Sequence, residues 1–167
     1  MKSSTTTTKI LRGKVDKENL FYDLIQEAYV VFSQPPTEHR VCDCCMCPKI
    51  RKDFFNHKQK DIPLDYINDW FFAAADIPLS KDKWRFVLPR ILEALACCEE
   101  PSTTGIEVSL SRFSTGDKKN WNDEEWSVLD KFQRLYLSHS HSHSHSHSEQ
   151  VYDDNIDDII CMFANAG

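Results

Sequence analysis

WRFVLPRILEALACC, residues 84–98, is the stretch whose periodicity decides the fold class. Val87, Leu88, Ile91, Leu92 and Leu95 recur at three- and four-residue intervals, the spacing of one helical face rather than the alternation of a strand. Pro89 sits among them and has no amide hydrogen with which to close a helical bond. The stretch therefore reads as a turn of helix capped by Ser80 and ending near Phe86. A new helix follows, with Pro89 in its first turn and its end at Cys98.

Other segments share that periodicity. From Asp16, a reasonable N-cap, Leu20, Leu24, Ala28 and Val31 mark a helix stopped by Pro35 and Pro36. Pro48 suits the first turn of a short helix to about His57. Pro63 introduces a helix over 65–75 with Tyr66, Ile67, Trp70, Phe71 and Ala74 on one side. Asn122 followed by Glu125 resembles a capping box, opening a helix from Asp123 to about Leu137 that buries Trp126, Leu129, Phe132, Leu135 and Tyr136. A final helix is expected over 154–164, while Ile106–Phe113 is ambiguous between helix and strand. The expectation is a mainly α, single-domain irregular bundle of about five to seven helices with a cysteine-rich loop. Residues 1–15 are expected to be a flexible lead-in, 16–137 the helical domain, 138–148 a linker, and 149–167 an acidic helix packing on the same domain. Trp70, Phe71, Leu88, Leu92, Trp126 and Phe132 are the expected core.

Composition supports a folded protein. Of 167 residues 41% are hydrophobic, with 10 Phe, 5 Tyr and 4 Trp, enough apolar material for one core. The net charge of −6 argues against non-specific nucleic-acid binding, which needs a cationic surface. No apolar run approaches the roughly 20 residues that cross a bilayer, and MKSSTTTTKILRGK lacks the apolar centre of a secretory signal. Seven cysteines, odd in number and crowded, point to reduced thiols and a cytoplasmic location.

Four of those cysteines fall in six residues, Cys42-Asp43-Cys44-Cys45-Met46-Cys47. They contain two overlapping C-x-x-C pairs, Cys42/Cys45 and Cys44/Cys47, a spacing that lets two sulfurs converge on one tetrahedral ion. His39, Cys42 and Cys45 supply three donors at regular intervals. The fourth is open among Cys44, Cys47, His57, Cys97 and Cys98. The metal reading, with zinc as the ion, prefers Cys42 and Cys45, helped by His39 and by Cys44 or Cys47. The alternatives are inert, partly buried thiols at a loop-to-helix junction, or redox chemistry. A strict Ser-His alternation over Ser138–Ser148 carries His139, His141, His143, His145 and His147; it reads as a solvated linker, dispensable for folding, that would chelate metal adventitiously.

Several of these segments together resemble a known family. They are Cys42-x-Cys44-Cys45-x-x-Pro48, the run Trp70–Ala75, the run Trp84–Glu93, Ser109–Phe113 with Trp121, and Gln133–Tyr136. The pattern is similar to that of an uncharacterised family of small bacterial proteins with a C-x-C-C motif followed by an F-L-P-R-I-L-E-like helix. The likeness covers residues 20–137. It implies a helical fold and assigns no activity; Cys47 and the Ser-His repeat depart from it.

No G-x-S-x-G, H-E-x-x-H or phosphate-cradling glycine loop is present, and crowded thiols suit metal better than nucleophilic catalysis, so a non-enzymatic role is expected. Arg85 and Arg90 are expected in helix-surface salt bridges with Glu93 or Asp82. The carboxylates Asp123, Glu124, Glu125, Asp153, Asp154, Asp157 and Asp158 suit helix N-termini. They also suit a docking face for a basic protein such as a bacterial toxin, which an acidic immunity-type inhibitor would neutralise. That protein-binding role and a zinc-stabilised regulatory module are the two functional readings.

Overall fold

The computed structural model describes residues 11–36, 41–42, 44–73, 81–99, 101 and 118–144, with the backbone alone at 72, 81, 84 and 140–144. Five helices lie in it: α1 (Tyr22–Val31), α2 (Pro48–Asn56), α3 (Leu64–Ala73), α4 (Lys81–Ala96) and α5 (Asp123–Ser144). Short 3-10 turns occupy Gln59–Asp61 and Lys118–Asn120. No strand occurs among the described residues, so the mainly α expectation holds. Ile106–Phe113 and the helix expected over 154–164 lie outside them.

Helix α4 is the axis of the fold. Every residue from Phe86 to Ala96 is buried, the condition of a helix covered on all sides. Helices α1 and α3 and the turn at 59–61 pack on it, and α5 packs on α1. Phe21, just before α1, meets the Phe132 and Tyr136 rings of α5 at 5.5 and 6.0 Å. Phe32, just after α1, meets Trp121 edge-on at 5.9 Å. The first two pairs are tilted and the third is T-shaped, with centroids inside the range of about 4.5–7 Å of favourable aromatic pairs. Trp70, Leu88, Leu92 and Phe132 are core residues as expected, whereas Phe71 and Trp126 sit half-buried at its margin.

Pro89 does not divide α4, which runs unbroken from Lys81 to Ala96. A proline leaves the carbonyl four residues earlier without its helical donor, here that of Arg85. The side-chain amide of Gln59 donates to Arg85 O at 3.2 Å, and also to Phe86 O at 3.1 Å and Phe32 O at 2.8 Å. Gln59 Oε1 in turn accepts the Gln34 N–H. A buried glutamine thus replaces the missing hydrogen bond, and the helix continues.

Two departures mark the N-terminal side. Asp16 does not cap α1: its Oδ1 accepts the N–H groups of Glu18 and Asn19, and Asn19 Oδ1 accepts that of Phe21. Two side-chain turns thus precede the helix, which starts at Tyr22, and Leu20 is left 60% exposed. Residues 11–15, expected to be part of a flexible lead-in, instead lie along α4. Fully buried Arg90 donates to the carbonyls of Ile62 (2.8 Å), Gly13 and Arg12 (2.6 Å). Buried Glu93 accepts from Lys14 Nζ and from the Tyr29 hydroxyl, both at 2.7 Å, and from the Val15 N–H at 3.3 Å. Arg90 Nη1 stands 3.6 Å from Glu93, so this pair belongs to the interior, not to a helix surface. Gly13 adopts φ +67, and a Cβ there would come 3.4 Å from Ala94 Cα and from Arg90 Nη1. Only glycine takes that conformation at so close an approach without strain. Burial first, and then the Glu93 charge, hold the Tyr29 phenol far above its ordinary pKa.

The C-terminal end of α4 is a Schellman motif. Cys98 adopts φ 57, its N–H donates to Leu95 O, and the Glu99 N–H donates to Ala94 O, each at 3.0 Å. Helix α5 opens as expected, with Asn122 Oδ1 accepting the Glu125 N–H at 2.8 Å. It does not stop near Leu137 but continues to Ser144. Ser and His are middling helix residues, not breakers, and His139 sets its ring edge-on to Phe21 at 6.0 Å. Seven of the eleven residues of the expected linker are therefore helical, and its first histidine packs.

Candidate metal centre

The cysteine loop follows α1 in the chain, leads directly into α2 and is tied by a hydrogen bond to the end of α3. Val41 and Met46, on either side of the first thiols, are buried in the core. The Cys42 N–H donates to Ala73 O, the last residue of α3, at 2.8 Å. A tight turn follows, closed by the N–H groups of Cys45 (3.3 Å) and Met46 (3.1 Å) on Cys42 O. Cys47 then takes extended ψ 152 and leads into Pro48, the first residue of α2. The backbone is fixed at both ends by apolar anchors and across its middle by hydrogen bonds, and the thiols are turned outward. Cys42 is half-buried, and Cys44, Cys45 and Cys47 are exposed. Packing of buried thiols does not account for the three exposed ones.

The turn gathers three sulfurs. The Sγ atoms of Cys42, Cys44 and Cys45 lie within 4.8 Å of one another, and those of Cys44 and Cys45 are 3.7 Å apart. Tetrahedral zinc with bonds of about 2.3 Å to thiolate sulfur sets its ligands about 3.8 Å apart, so the Cys44–Cys45 separation fits and Cys42 needs only a small approach. Hydrogen bonds from the Cys44 thiol, the Cys44 and Cys45 N–H groups and the Cys45 thiol lower the pKa of Cys42. Cys44, donating to its neighbours and sharing their negative charge, is pushed up to about 11. In chemical terms the hydrogen bonds at Cys42 favour its thiolate form, the form in which a cysteine binds a soft cation.

The remaining expected ligands stand elsewhere. Cys47 lies beyond the turn, as the residue before α2, and is not part of the sulfur group. His57 ends α2 with Nδ1 2.6 Å from Asp53 O and its ring edge-on to Tyr66 at 6.0 Å. The Tyr66 hydroxyl donates to Asp53 Oδ2 at 2.7 Å, and this bond raises the phenol pKa. Cys97 and Cys98 belong to the end of α4; burial, and then the Glu93 charge, push the Cys97 thiol up to about 11. His39 lies outside the described residues. The Cys42/Cys45 spacing pointed to two members of this trio, and the third, Cys44, was one of the alternatives left open beside Cys47.

The acidic candidates also divide. Asp123 and Glu124 are exposed on the first turn of α5, but Glu125 is buried. Its carboxylate accepts from the Asn122 amide at 2.8 Å and stands 3.6 Å from Arg85, so it cannot belong to a docking face. Asp153, Asp154, Asp157 and Asp158 lie outside the described residues. No described helix is long and apolar enough to cross a membrane. No family model, curated protein or solved structure matches the chain.

Proposed function

We propose that this is a small helical metal-binding protein in which Cys42, Cys44 and Cys45 hold zinc as thiolates. The observation that carries the reading is the convergence of three Sγ atoms within 4.8 Å on a loop whose backbone is already fixed. Zinc supplies a redox-inert positive charge that keeps the thiols deprotonated. This chain's part is to present the sulfurs at compatible distances and to stabilise the first thiolate with the Cys44 and Cys45 N–H groups.

The test uses the full chain carrying His141→Ala, His143→Ala, His145→Ala and His147→Ala, which removes adventitious chelation but keeps the packed His139. Purified without chelator, it should contain about one zinc per chain, as expected of a specific site. Cobalt substitution should give a thiolate charge-transfer band that Cys42→Ser abolishes. Zinc content near zero, or content unchanged by Cys42→Ser/Cys45→Ser, would refute the reading.

The second reading, an acidic module that docks a basic protein such as a toxin, draws on the net charge of −6 and on exposed Asp123 and Glu124. A binding screen against cationic nucleases, with Asp123→Lys/Glu124→Lys as the control, tests it.

A further inference from the structure

Resting on the thiolate reading above, we propose that the Cys42–Cys44–Cys45 centre is a solvent-open zinc-transfer site rather than a closed structural one. It would bind the ion through three protein thiolates and leave the fourth position to an external ligand. That ligand is water at rest and a small or protein-borne thiol during transfer.

Three observations converge on this. The first is donor number. Among the described residues the group contains three donors, whereas a structural zinc site is closed by four protein ligands and an open position belongs to sites where the ion meets other molecules.

The second is access. Cys44 and Cys45 are exposed, and Cys42 is only half-buried, so an incoming thiol reaches the ion without any opening of the fold. Met46, whose thioether is a soft donor, is fully buried in the core.

The third is that the loop does not need the ion. Val41 and Met46 are core residues, and the Cys42 N–H to Ala73 O bond and the turn bonds onto Cys42 O hold the backbone. In structural zinc modules coordination energy is folding energy, and removal of the metal unfolds the chain. Of the three ligands only half-buried Cys42 packs against the core, and Cys44 and Cys45 are exposed side chains that the core does not use.

Transfer is a ligand exchange with no change of oxidation state. An incoming thiolate forms a sulfur–zinc bond at the open position, one cysteine sulfur–zinc bond breaks, and the proton lost by the incoming thiol ends on the released cysteine. Exposed Cys44 and Cys45 are released first. Cys42, whose backbone is tied to α3, is released last and is the first to recapture an ion.

The experiment uses the full chain with the four histidine-to-alanine changes given above, loaded with Zn(II) alone. X-ray absorption at the zinc edge should show three sulfurs and one oxygen in the first shell. Release to a chromogenic chelator should accelerate about tenfold for a tenfold rise in glutathione, because thiolate attack is first order in the attacking thiol. Cys47→Ser and His39→Ala should leave that rate within about twofold, and Cys44→Ser should accelerate release. The far-ultraviolet circular dichroism of the metal-free protein should equal that of the loaded one. Four protein ligands at the ion, release independent of thiol concentration, or loss of helix on zinc removal would each overturn the transfer role while leaving the metal site standing. Absence of any cysteine-dependent zinc would overturn both.

Discussion

Neutralising Glu93 is the sharpest test of what holds the centre of the molecule. Glu93 is buried in α4 and faces two cations of different standing: Arg90, fully buried at 3.6 Å, and Lys14, with a side chain 30% exposed at 2.7 Å. Glu93→Gln preserves shape and, with its carbonyl at the Oε1 position, keeps the acceptor for the Tyr29 hydroxyl, so it removes the charge and the weaker 3.3 Å acceptor that Oε2 offers the Val15 N–H. Lys14 can then turn to water, but Arg90 cannot. Breaking a buried pair from one side costs about 3–5 kcal/mol. Arg90 keeps three carbonyl acceptors, which places the expected loss at the lower end, about 3 kcal/mol. For a chain of this size each kcal/mol moves the melting temperature by about 2–4 °C, so a fall of about 6–12 °C is expected. Urea unfolding followed by circular dichroism gives the free energy, and Lys14→Met, expected to cost about 1 kcal/mol or less once its exposure is allowed for, serves as the comparison. A loss below about 1 kcal/mol for Glu93→Gln, or equal losses for the two variants, would show that the buried charge is not what the centre depends on.

Further outcomes follow from single contacts. Gln59→Leu should cost about 2 kcal/mol by stripping donors from buried carbonyls, and part of that loss should return in Gln59→Leu/Pro89→Ala, where the restored amide serves Arg85 O; additive losses would refute the link. Cys98→Gly should raise stability by about 1 kcal/mol, because a side chain in the left-handed region is strained there, and denaturant midpoints measure it. Cys97, pushed up to about 11, should alkylate slowly at pH 8 and about tenfold faster per pH unit as thiolate forms, read by mass spectrometry of the labelled peptides; rapid labelling at pH 7 would contradict its burial.

The helices were legible where apolar spacing does the folding. The apolar repeats of α3, α4 and α5 and the Asn122–Glu125 cap are local signals, and a helix lies over each of them, although Phe71 and Trp126 reach only the margin of the core. What was not legible came from partners far along the chain. Pro89 stays inside a helix because Gln59, thirty residues earlier in sequence, supplies the donor it lacks, and no local rule foretells that. Asp16 looks like a helix cap, but its side chain closes a turn within its own segment, a competition that depends on where Leu20 and Phe21 must go. Residues 11–15 have no apolar periodicity because what holds them is largely polar: the Arg12 and Gly13 carbonyls accept from Arg90, Lys14 pairs with Glu93, and the Val15 N–H donates to Glu93. The same limit applies to the candidate site: C-x-C-C marked the thiols, but which of them converge was decided by the turn that Val41 and Met46 pin down.

The distance between Val15 and its acceptor Glu93, 78 positions along the chain, has a consequence for biosynthesis. At about 5–20 residues per second, a ribosome that has made Val15 needs about 4–16 s more to reach Glu93. During that interval α1, α2 and α3 are made in turn before α4, on which α1 and α3 pack, and the segment from Arg12 to Lys14 has no docking place. The nascent chain therefore presents its apolar faces before it can bury them, and release before α4 emerges yields a product for chaperones or proteases rather than a smaller folded protein.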